Sequence, residues 1–210
     1  IRNVFTGIIH TYGSPGRAPT DRTHTEAGAL RLPTLAGCGR MPYIPCSITE
    51  AFTVTPLEAL SDNYMYLIVD EATKEAAVVD PADASTATEA AAARGLTLKM
   101  VLTTHHHFDH AGGNADMKRL VPDIEVVAGE DVQALTRRVA DGDKLRVGNL
   151  SVTCVHTPAH TNGHISYLVS DHRAPDAAGA IFTGDALFVG GCGRFFEGGP
   201  EQVPEASAPK

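Results

Sequence analysis

Residues 104–113 read THHHFDHAGG, four histidines and one aspartate within ten positions. Imidazoles repel one another when protonated and lose solvation when buried, so a fold that gathers them needs a common partner, and a cation is the simplest one. The segment also restricts the architecture. TLKMVLTT before it has the texture of a strand, and Ala111–Gly112–Gly113 after it opens a helix, so the cluster belongs where a strand ends. In extended backbone alternate side chains face the same way: His105 and His107 project together and can share one ion, while His106 points elsewhere. The turn that follows brings Asp109 and His110 towards a second ion. Imidazole nitrogen and carboxylate oxygen suit zinc and similar divalent metals, which bind them at about 2.0–2.2 Å.

Two later patches fit the same scheme, each at the end of an expected strand. TPAHTNGH offers His160 just after a turn, and FTGDALF offers Asp185 after Gly184, whose missing side chain lets the backbone come close. One carboxylate can bridge two metals. Two ions about 3.5–4 Å apart hold a hydroxide, lower the pKa of its parent water and clamp a hydrolytic transition state. Hydrolysis is the natural chemistry of such a set.

The rest of the chain supplies a layered frame. FTVTPL, NYMYLIVD and EAAVVD are short β-rich runs broken by turn residues; ASTATEAAAARG predicts a helix with Ser85 as N-cap and Gly95 as stop. Further helices are expected at Asn114–Leu120 and near 131–140, with strands at IEVVAG, KLRVG, LSVTCVHT, HISYLVS and AIFTGD. Strands that first pair and then alternate with helices imply an α/β sandwich. Residues 1–50 are rich in Gly, Pro, Thr and Arg with no hydrophobic period, and read as a disordered leader or transit-like segment; 51–203 read as the hydrolase domain and 204–210 as a disordered tail.

Composition excludes several partners. The net charge of −8 and the lack of a Lys/Arg-rich run argue against nucleic acid and anionic membranes, leaving a small molecule as substrate. No apolar stretch approaches the roughly 20 residues of a membrane span. A cytoplasmic monomer is expected, with the mitochondrial matrix as the alternative location. Cys38, Cys46, Cys154 and Cys192 form no CxxC pair and are read as reduced thiols.

HHHFDH resembles the HxHxDH signature of the metallo-β-lactamase fold, and SDNYMYLIVD, VVDPAD, VLTTHHHFDHAGGN, TPAHTNGHISYLV and FTGDALFVGGCGRFFEGGPEQ resemble glyoxalase II, the hydroxyacylglutathione hydrolases, across about 52–203. The resemblance implies an αββα sandwich with two divalent ions, zinc first and iron or manganese as alternatives. His105, His107 and His160 would hold one ion, Asp109 and His110 the other, and Asp185 would bridge, making Asp109 and Asp185 the catalytic carboxylates. The family converts S-D-lactoylglutathione to D-lactate and glutathione in methylglyoxal detoxification. Arg194 matches a basic position at the glutathione site, and Phe196 stands where some members carry a tyrosine that contacts glutathione.

The chain departs from that pattern after Arg194. The family's last ligand is a histidine in a GHEYT-like segment followed by a helical glutathione-binding domain; here FFEGGPEQVPEASAPK follows instead. The expectation is therefore a sandwich truncated at its C-terminus, a weakened second ion and low turnover. Persulfide dioxygenases, one-iron oxidoreductases that also carry a GCGR, are the alternative family, and a catalytically silent product is a third reading; FFEGG and NYMYL favour the hydrolase. His164 is expected to orient a ligand or fill space, Asp80 to orient a ligand or form the turn before Pro81, and Cys192 to be a small residue in a tight loop. His10, His24, His156 and His172 are expected to face solvent.

Overall fold

A computed structural model describes residues 46–48, 51–174, 179–188 and 190–202. Two sheets face each other. The first is a seven-stranded sheet in sequence order: β1 (Cys46–Ser47), β2 (Phe52–Ala59), β3 (Asn63–Asp70), β4 (Glu75–Val79), β5 (Thr97–Leu102), β6 (Glu125–Ala128) and β7 (Arg137–Arg138). Strands β1 to β4 pair antiparallel and β4 to β7 parallel. The second sheet is antiparallel, in the order β11 (Ala180–Phe182), β10 (Ile165–Asp171), β9 (Leu150–His156) and β8 (Lys144–Val147).

The apolar patterns explain the layers. In the first sheet both faces are buried: Phe52, Val54, Tyr66, Ile68, Ala77, Val79 and Val127 look towards the second sheet, while Leu57, Met65, Leu67, Val69, Val78 and Val126 look the other way. That is why NYMYLIVD reads as a continuous apolar run. Strands β9 and β10 instead alternate, with Leu150, Val152, Cys154, Ile165, Tyr167 and Val169 turned to the shared core. Helices α1 (Ala84–Ala93) and α3 (Asn114–Leu120) cover the outer face of the first sheet through Ala87, Ala91 and Met117, and the short α2 (Phe108–Ala111) follows the histidine run. The described residues thus form helix, sheet and sheet layers of the expected sandwich.

Two local expectations are corrected. The N-cap of α1 is Asp83, not Ser85: its carboxylate accepts from the backbone N–H groups of Ser85 and Thr86. A charged acceptor two residues earlier satisfies the first-turn donors that Ser85 would have left to its own hydroxyl. Residues 131–140 form no helix. Thr136 Oγ1 accepts from Val126 N–H at 2.8 Å, Thr136 N–H donates to Val126 O and Val139 N–H to Ala128 O, so the edge of β6 captures this segment as β7. Free sheet-edge groups outweighed a weak local preference. Strand β1 lies within the stretch read as a leader and pairs with β2; residues 1–45, including His10, His24 and Cys38, and the tail 203–210 lie outside the described residues. Among the described residues no helix is long and apolar enough to cross a membrane.

Candidate metal centre

Parallel strands deliver their carboxyl ends to one rim of the sheet, and the site is assembled there. Asp80 leaves β4 with φ +49°, an uncommon conformation for a residue with a side chain, and its carboxylate becomes an anchor. Thr104 N–H donates to Asp80 Oδ1 at 2.7 Å and Thr104 Oγ1 to Asp80 Oδ2 at 2.8 Å. His110 Nδ1 lies 2.9 Å from the same Oδ2, which directs His110 Nε2 into the site. Tyr167 of the second sheet donates its hydroxyl hydrogen to Thr103 O, and Ile165 N–H donates to Thr104 O, fixing the end of β5 from across the core. His107 is the non-helical residue before α2, which places His110 one turn further on.

The second sheet contributes His160, after β9, and Asp185, in a 3-10 turn after β11. Gly184 has φ +47°, and a Cβ there would stand 2.6 Å from Thr104 Oγ1 and 2.9 Å from His164 Nε2, so glycine is required for the close approach. Gly193 is equally confined: its Cβ would meet Asp185 O at 2.5 Å and His160 Nδ1 at 2.7 Å. The GRFFEGG segment lies along the His160 loop. His160 Nδ1–H donates to Arg194 O at 2.7 Å, Phe196 N–H to His160 O, Gly198 N–H to Ala159 O, and Asn162 N–H to Glu197 Oε2.

Five of the six ligand candidates converge. His105 Nε2 lies 3.0 Å from His107 Nδ1, which lies 2.9 Å from His160 Nε2. His110 Nε2 is 3.1 Å from Asp185 Oδ1, and His160 Nε2 is 3.3 Å from Asp185 Oδ2. They form two groups, His105 with His107 and His160, and His105 with His110 and Asp185, each within 4.8 Å. His105 therefore stands in both groups, where the sequence placed it in one. Asp109 joins neither group; its Oδ2 lies 3.5 Å from His110 Nε2 and its side chain is half exposed.

The electrostatics suit a cation. His110 Nε2, His164 Nε2 and Asp185 Oδ1 are buried without a hydrogen-bond partner, the His110–Asp185 pair being close but misaligned. Each such atom costs about 1–3 kcal/mol if left so. Burial and the neighbouring imidazoles push the His105 and His107 pKa down, and burial takes His164 to about 4, so these rings present neutral nitrogens. Burial would lower His110 too, but the Asp80 and Asp185 carboxylates outweigh it and push it up to about 10. Burial acts to raise the Asp185 carboxyl, yet the adjacent His110 ring holds it below the usual carboxylate range. A tetrahedral zinc with bonds of about 2.0–2.1 Å spaces its donors by about 3.3–3.4 Å, close to the separations found here.

The remaining candidates take varied places. His164 is buried beside His105, their rings stacked at 5.1 Å, with Nδ1 2.9 Å from Thr157 Oγ1. Phe196 is 60% exposed at the mouth, with ring centroids 5.4 Å from His107 and 5.3 Å from His160, and the Arg194 guanidinium lies 5.7 Å from the Phe196 ring centre. Cys192 and His172 are exposed; His156 is exposed as well, but its Nε2 lies 2.8 Å from Asn162 O. Sequence reasoning missed Glu130, Thr104 and the Arg194 carbonyl. Glu130 follows a strand at the same rim as the histidines, the one signal that marked it.

The fold and the donor set match the metallo-beta-lactamase superfamily, to which this chain belongs: the superfamily's model covers residues 60–208. Within it the chain is similar to the cytoplasmic hydroxyacylglutathione hydrolase of Arabidopsis thaliana, 52% identical over 147 residues, covering 69% of this chain and 56% of that protein. A hydroxyacylglutathione hydrolase-like protein of Homo sapiens is 46% identical, covering 74% of this chain and 53% of that protein. These relatives bear out the resemblance to glyoxalase II. Among solved structures, ETHE1 from Myxococcus xanthus superposes with a TM-score of 0.61 at 35% identity, over 71% of this chain and 65% of that one. A metallo-beta-lactamase from Staphylococcus aureus gives a TM-score of 0.61 at 30% identity, over 70% and 47%. The chain spans a little over half the length of the curated relatives it matches.

Proposed function

We propose that the chain is a metal-dependent thioester hydrolase acting on 2-hydroxyacyl-glutathione, S-D-lactoylglutathione first among them. The observation that carries this reading is the convergence of His105, His107, His110, His160 and Asp185 in a chain 52% identical to a hydroxyacylglutathione hydrolase. His105, His107 and His160 would hold one divalent ion, His110 and Asp109 a second, with Asp185 between them. Zinc is the proposed metal. Its chemistry when bound is to acidify water and stabilise the oxyanion of acyl transfer. Water oxygen joins the carbonyl carbon, the C–S bond breaks, one proton passes to the thiolate and the other is released as lactate ionises.

The chain's own part is orientation. Asp80 and the Arg194 carbonyl fix the tautomers of His110 and His160, Phe196 shields the mouth, and the exposed Arg194 guanidinium would meet a glutathione carboxylate. A weaker second ion is part of this proposal, since the Asp109 that would help to hold it is half exposed. A cytoplasmic monomer acting on a small molecule is the accompanying proposal, in keeping with the net charge of −8 and the cytoplasmic Arabidopsis relative. Elemental analysis with lactoylglutathione hydrolysis tests the reading. At least one zinc per chain and slow turnover abolished by chelation are expected; no metal uptake, or metal without thioester cleavage, overturns it.

A further inference from the structure

The central histidine of HHH serves neither donor group, yet it is held. His106 N–H donates to Glu130 Oε1 at 2.8 Å and His106 Nδ1–H to the same oxygen at 2.9 Å. Glu130 follows β6, and its carboxylate also accepts from Thr161 Oγ1 at 3.0 Å through Oε1 and from Gly163 N–H at 3.1 Å through Oε2. One half-turn of chain behind His160 and the loop between His105 and His107 are therefore tied to one carboxylate, itself only 14% exposed. The packing leaves no slack: a Cβ on Gly163 would lie 2.8 Å from Glu130 Oε2, and one on Gly129 would lie 2.4 Å from Gly163 O.

We infer that Glu130 is a positioning residue for the metal centre, a clamp that sets the separation of His107 from His160 by joining the loops that carry them. The two loops come from different sheets and meet directly at the His107 Nδ1 to His160 Nε2 contact of 2.9 Å. Without Glu130, His106 N–H, Thr161 Oγ1 and Gly163 N–H would turn to water, and only Glu197, 3.7 Å from His106 Nε2 and accepting from Asn162 N–H, would still lie between the loops. Carboxylate is needed rather than amide. In a glutamine, three donors at one terminal atom require the carbonyl there, which sets the NH2 against Gly163 N–H. Glutamine thus keeps three bonds and loses one; alanine loses all four.

The inference rests on the reading of this site as a metal centre and is tested by zinc affinity, measured by chelator competition without substrate. Glu130→Ala is expected to weaken zinc at least about tenfold, the usual scale for residues that orient metal ligands, with Glu130→Gln between it and the parent. Glu71→Ala is the control for plain loss of stability: Glu71 accepts from Thr53, Lys74 and Arg94 and touches no site residue. It should lower the melting temperature of metal-free protein while leaving zinc affinity unchanged. Zinc affinity of Glu130→Ala within about twofold of the parent overturns the clamp, as does an equal loss in Glu71→Ala. A parent chain that binds zinc but leaves lactoylglutathione intact overturns the proposed function alone; the clamp is then still judged by affinity.

Discussion

The histidines of 104–113 were legible as a crowd of ligand-type residues just past a strand; beyond the end of β5 at Leu102, His105 and His107 meet in one donor group while His106 turns to Glu130. Asp109 was readable as a residue type but not as a position, since the turn into α2 leaves it at the mouth with its side chain half exposed. Only its place after a strand marked Glu130, because its four donors lie 24 to 33 residues away in sequence. Gly184 gives a test at this scale. With φ +47° and a Cβ position 2.6 Å from Thr104 Oγ1, Gly184→Ala should cost about 1–3 kcal/mol in urea unfolding and weaken zinc retention. Unaltered unfolding would mean that Asp185 is held by something other than this close approach.

Among elements, strands with buried faces were read correctly from apolar runs, and one of the two errors fell where a distant group decided the outcome. Strand β7 exists because β6 offers unpaired edge groups, which no property of 131–140 reveals. The cap of α1 shows the competing case, a local choice between Asp83 and Ser85 that the carboxylate wins. Asp83→Ala should cost about 1 kcal/mol at neutral pH. The Thr86 hydroxyl bond, with the first-turn N–H groups, holds the Asp83 carboxyl below its ordinary value. A group whose pKa is depressed by folding stabilises above its unfolded value, about 3.9, and the contribution fades as pH falls through the folded value. The difference between parent and variant in urea should therefore shrink below about pH 4; a constant gap from about pH 6 to about pH 2 would place the stabilisation elsewhere.

Across the whole molecule the sheets meet through polar as well as apolar contacts. Asp70, fully buried at the end of β3, accepts from Asn149 N–H at 2.7 Å and Asn149 Nδ2 at 2.9 Å in the β8–β9 turn, and from Thr73 and Ala72 on its own side. Burial acts to raise its carboxyl, but these bonds hold it below the ordinary value. Asp70→Ala strands these donors and should cost about 2–4 kcal/mol, roughly 5–15 °C in melting temperature for a domain of this size, in metal-free protein. A smaller shift would leave sheet docking to the apolar core alone. The donors are themselves divided between the sheets: His105, His107 and His110 come from the first, His160 and Asp185 from the second. Among the described residues neither sheet supplies either donor group by itself, so a captured ion would act as a rivet between them, and its loss would report the two sheets drifting apart before any strand had frayed.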